Sequence, residues 1–86
     1  MQEVDVLKLL HLLESEYPQS FIRLDDRQKA LKKELWVKEF AADDPMIVFA
    51  AVRILMRDGR EFAPTSGQIR EKIQSMTEKD TVEPQE

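Results

Sequence analysis

Few side chains in this sequence could do chemistry. One histidine, His11, stands three residues before Glu14, and two carboxylate pairs, Asp25-Asp26 and Asp43-Asp44, punctuate the middle of the chain. A His and a Glu on one helical face could begin a metal site, but no further ligand follows at a suitable type and spacing. Paired carboxylates could share a proton or hold a divalent cation. Each pair, however, stands where an apolar-periodic segment begins, and there an Asp caps a helix and complements its dipole. The chain has no cysteine, hence no thiol nucleophile and no disulfide. Gly59 and Gly67 are its only glycines, and they do not make a phosphate-cradling loop. We therefore expect a protein that is not an enzyme, uses no cofactor or metal, and works by binding.

The densest charge is the basic run Arg23, Arg27, Lys29, Lys32, Lys33 and Lys38. It could follow a phosphate backbone, which makes a small helical DNA-binding module the alternative reading. Asp25, Asp26, Glu34 and Glu39 interrupt the run, and no aromatic pair alternates with the cations as a stacking platform would. Net charge is −4. Residues 1–22 hold one lysine against four acids (−3), residues 23–72 eleven cations against nine acids (+2), and residues 73–86 one lysine against four acids (−3). Non-specific nucleic-acid binding is driven by phosphate neutralisation, so strong direct nucleic-acid binding is not expected.

These side chains must be positioned by helices, since no stretch shows sustained strand alternation. Val6, Leu7, Leu10, Leu13 and Tyr17, with Leu9 and Leu12, predict a first helix over about Glu3–Tyr17, stopped by Pro18. Phe21, Ile22 and Leu24 in the following connection predict a loop packed on the core. Asp25 or Asp26 caps a second helix that reaches about Phe40. Its expected buried line is Leu31 and Leu35 with Ala30, and Trp36 and Phe40 lie beside it. Trp36 reads as a core residue; in the alternative, a partly exposed Trp36-Phe40 patch anchors a partner. Asp43-Asp44-Pro45 opens a third helix to about Asp58, with Val48, Phe49, Val52, Leu55 and Met56 inward. Arg53 and Arg57, four apart on its polar side, are candidate partner contacts. Gly59 suits the left-handed stop, and Thr65 with Gln68 has the spacing of a capping box. A fourth helix from about Ser66 places Ile69, Ile73 and Met76 in register.

The expected fold is all-α, a compact bundle of about four short helices over residues 1–76. A disordered acidic tail is expected over 77–86, where Glu78, Asp80 and Glu83 are candidate docking residues. No apolar run is long enough to span a bilayer, and acids rather than bases precede the first apolar run, unlike a secretory signal. A cytoplasmic monomer is expected.

The order of these motifs resembles the helical N-terminal domain of the phage replicative helicase loader/inhibitor family. The resemblance rests on Leu9-Leu10-His11-Leu12-Leu13 followed by Tyr17-Pro18 and Phe21, on Leu35-Trp36, and on Asp43-Asp44-Pro45 with Val48, Ala50 and Ala51. Gly59-Arg60-Glu61-Phe62-Ala63-Pro64-Thr65 closes the pattern, which covers most of residues 7–73. It implies a phage or prophage DNA-replication protein in the bacterial host cytoplasm. Such a protein does no chemistry: it binds and inhibits a hexameric replicative DNA helicase and delivers it to an origin-binding initiator protein. The family follows its folded part with a flexible C-terminal region associated with helicase binding. Here only about ten residues, 77–86, follow the expected last helix.

Overall fold

In the computed structural model, which describes the backbone of residues 1–82 and the side chains of residues 1–77, the chain forms four α-helices. They are α1 (Glu3–Glu16), α2 (Asp26–Glu39), α3 (Pro45–Arg57) and α4 (Ser66–Val82), with a 3-10 turn at Pro18–Ser20. No strand occurs among the described residues. The fold is an all-α bundle in which α1 packs on α2 and α3 on α4.

Local chemistry sets each helix start. Asp25 Oδ1 accepts from the Gln28 amide at 2.8 Å while Gln28 Oε1 accepts from the Asp25 amide at 3.0 Å. Thr65 and Gln68 close the same reciprocal box before α4, at 3.1 and 3.0 Å. Each box satisfies donors that a helix start leaves open. Asp44 caps α3 by accepting from Met46, and Pro45 takes the first helical position, where its missing N–H costs nothing. Gly59 ends α3 at φ +71°, a region that strains any side chain with a Cβ. α4 continues to Val82, past Met76, the last inward apolar residue among those with described side chains. The tail expected over 77–86 lies mostly outside the residues with described side chains.

The core is one cluster. α1 supplies Val6, Leu9, Leu10 and Leu13, α3 supplies Val48, Ala51, Val52 and Leu55, and α4 supplies Ile69 and Ile73. Phe49, Met56 and Met76 pack on it, partly buried. The connection after α1 seats Phe21 and Leu24 against the core, but Ile22 is 78% exposed, against expectation. Phe21 and Leu24 stand three apart on the inner side of the turn, and Ile22 points away.

The second helix corrects the expected phase. Leu31 and Leu35 are both 55% exposed, and Trp36 and Phe40 are buried at 4% and 0%. One rotation about α2 cannot bury both sets, because at 3.6 residues per turn Leu35 stands about 100° and Leu31 about 140° from Trp36. Two aromatic rings remove more apolar area from water than two leucines. The rings therefore set the rotation, meeting edge to face at 5.7 Å between centroids. The half-buried Lys29, Lys32 and Lys33 complete the inner face with their alkyl stems.

The α2–α3 corner is held by two cations. The Met1 ammonium donates to Phe40 O and Asp43 O, each at 2.7 Å, and to Ala41 O at 3.4 Å. Arg70 of α4 donates Nη1 and Nη2 to the two Asp43 carboxylate oxygens at 2.9 and 2.7 Å. It also donates to Glu39 Oε2 at 3.0 Å and Glu39 O at 2.8 Å. Both charges complement the negative end of the α2 dipole. Asp43 is thus a partner of Arg70 rather than a second cap for α3.

Candidate functional site

Among the described residues, no group of three or more histidine, cysteine, aspartate or glutamate side chains is placed to hold a metal ion. His11 is an exposed residue of α1. The four acids that could have formed carboxylate sites have structural partners or helix-start positions. Asp25 and Asp44 cap helices, Asp26 opens α2, and Asp43 binds Arg70. The fork from Arg70 and the nearby Met1 ammonium hold the Asp43 carboxyl below its ordinary value.

Trp36 and Phe40, the expected aromatic anchor, are interior. Both belong to the core cluster, so neither is presented to a partner in this fold. Arg53 and Arg57 are exposed on α3, and neither pairs with a carboxylate among the described residues. Glu78, Asp80 and Glu83 lie outside the residues with described side chains.

The structure adds apolar neighbours to the two arginines. α3 is rich in apolar residues on every side, yet it buries only the face of Val48, Ala51, Val52 and Leu55. Outside that buried line Met46 is 77% exposed, Ile47 42% and Ile54 37%, with Ile47 and Ile54 about 90–110° around the helix from its centre. Ile47, Ala50 and Ile54 follow helical spacing and draw a stripe about 10 Å long, flanked by Arg53 and Arg57. A helix apolar all round is ordinarily buried on all sides. Here its outer side meets solvent and forms an apolar strip with a cationic edge, a composition suited to protein contact. The sequence signal was the second apolar line, Ile47 and Ile54, out of phase with the core line of the same helix.

A second surface lies between α1 and α2, an open groove of about 190 Å³. Its floor is Leu7, Leu10 and Phe21, and its rim carries Lys29, Lys32 and Lys33. Lys29 bonds Glu14 at 3.0 Å, and Lys33 bonds Glu3 at 2.9 Å and is held above its usual lysine value by that bond. Lys32 Nζ stands 5.0 Å from the Trp36 ring centroid and 5.5 Å from that of Phe21. Burial pushes the Lys32 ammonium below its ordinary 10.5. Half of the basic run thus turns inward onto the bundle instead of forming one outward cationic face.

Comparison of the chain with protein families, curated proteins and solved structures finds no match. No helix among the described residues is long and apolar enough to cross a membrane.

Proposed function

We propose that this protein is a non-enzymatic DNA-replication adaptor of phage or prophage origin. It binds a hexameric replicative helicase, holds it inactive and passes it to an origin-bound initiator. The partners' identity comes from the order and spacing of the sequence motifs quoted above. The structural observation that supports a binding role is the unpartnered outer face of α3, with Met46, Ile47 and Ile54 beside Arg53 and Arg57. The competing DNA-binding reading is weakened by the basic helix itself. Two of its six cations are neutralised by α1 carboxylates and a third rests on aromatic rings.

The test is size-exclusion chromatography with light scattering on this chain mixed with its cognate replicative helicase, with and without ATP, alongside helicase ATPase rates. A co-eluting complex and a lowered ATPase rate are expected. Ile47→Glu with Ile54→Glu should weaken the complex while leaving the circular dichroism spectrum intact, since both side chains are already partly in water. Separate elution of the wild-type chain under both nucleotide conditions overturns the proposal.

A further inference from the structure

The α1–α2 groove has a chemistry that the α3 face lacks: an apolar floor beneath an ammonium that has no carboxylate partner among the described residues. We propose that this groove docks an acidic amphipathic segment of a protein partner, with an apolar side chain seated on Leu7, Leu10 and Phe21 and a carboxylate on Lys32. The inference rests on the reading that the chain acts by binding protein, and it names the chemistry of one contact.

Three observations carry it. First, the groove's volume of about 190 Å³ is below the roughly 300–1,000 Å³ typical of small-molecule pockets. It suits a side chain entering from another protein, and its apolar floor rewards an aliphatic or aromatic one. Second, charge complementarity selects the partner's sign. Of the three lysines that line the groove, Lys29 is engaged by Glu14 and Lys33 by Glu3, so Lys32 is the cation left without a carboxylate among the described residues. Third, Lys32 is held in place before any partner arrives. The fold has removed part of its hydration and, among the described residues, sets it over the rings of Phe21 and Trp36 in return. A carboxylate there restores the lost stabilisation with a charge-assisted hydrogen bond, and little further ordering of the lysine is required. A phosphodiester backbone would satisfy Lys32 but bring no apolar side chain to the floor, so the groove favours a peptide over nucleic acid.

The full chain, labelled with nitrogen-15, is titrated with a short acetylated and amidated peptide of leucine and glutamate at helical spacing. A control peptide carries lysine for glutamate. The expected result is a set of shifts at the Leu10 and Phe21 amides and the Trp36 indole N–H with the acidic peptide alone. Lys32→Met keeps most of the apolar stem and should weaken binding about tenfold or more. Lys32→Arg should restore it, which separates charge from packing, and Lys38→Met on the exposed side of α2 should change nothing. Equal binding of the basic peptide overturns the proposal, as does indifference to Lys32→Met. Groove shifts produced by raising protein concentration alone also overturn it, by making a second copy of the chain the occupant.

The same variants are run in the helicase co-elution experiment. If Lys32→Met forms the complex as well as the wild type, the groove is not the docking site and the proposed function stands. If the wild type forms no helicase complex while the peptide still binds at Lys32, the helicase reading fails and the groove stands.

Discussion

Replacing Arg70 by methionine removes a side chain that ties α4 to the α2–α3 corner through four hydrogen bonds. The size of the effect follows from where the pair sits. An exposed ion pair contributes about 0–1 kcal/mol, and breaking a buried one costs about 3–5 kcal/mol because a charge is left stranded. The Arg70 and Asp43 side chains are 29% and 18% exposed, between these limits. A loss of about 2–3 kcal/mol is expected, and the methionine stem keeps part of the contact over Phe40. For a domain of this size each kcal/mol shifts the melting point by about 4–8 °C, so Arg70→Met should melt roughly 10–20 °C lower. The assay is a thermal melt followed by circular dichroism, with urea unfolding for the free energy and Asp43→Asn completing a double-mutant cycle. The pH dependence has a definite sign. The folded-state value of Asp43 is lowered, chiefly by the hydrogen bond from Arg70, so its contribution is complete above the unfolded-state value near 3.8. It is lost as pH falls through the folded value, and wild type and Arg70→Met should converge below about pH 3.8 while differing fully at neutral pH. A melting-point change under about 4 °C, or strict additivity in the cycle, would refute the reasoning.

Acetylating the Met1 amine removes the charge that three carbonyl oxygens share at the end of α2. A loss of about 1–3 kcal/mol is expected by comparing melts of the free and acetylated chains; identical melting points would place the ammonium elsewhere. Leu31→Ser and Leu35→Ser should each cost no more than about 0.5–1 kcal/mol in urea unfolding, because these side chains are already exposed. A core leucine would cost about 2–5 kcal/mol when truncated to alanine, so losses of that size at either position would return α2 to the phase read from its leucines.

Much of the architecture is legible in the amino-acid sequence. The four helices, an aspartate cap at Asp25-Asp26 and another at Asp43-Asp44, the Thr65 cap, the Gly59 stop and the Ile69-Ile73-Met76 line all follow from signals within a few residues of one another. The hydrogen-bond partner or the apolar neighbour lies on the same turn of chain, so local physics decides the outcome. Arg53 and Arg57 were also legible as exposed cations, since α3 has one dominant core line and they stand off it.

Tertiary structure decided the matters that depend on competition between distant residues. Two apolar lines could fill the inner face of α2, and the choice of Trp36 and Phe40 over Leu31 and Leu35 depends on the space left by α1, α3 and α4. The pairing of Asp43 with Arg70, 27 residues away, and the seating of the Met1 ammonium on the end of α2 have no local signature. Nor does the change of Lys32 from one member of a solvated basic run to a half-buried ammonium above two rings. By itself the sequence determined which segments are helical and where they stop, because propensity, caps and breakers act over one or two turns. The bundle decided which face of each helix meets water, because burial is a property of all four helices together, and that choice left the α3 stripe and the Lys32 groove open to a partner.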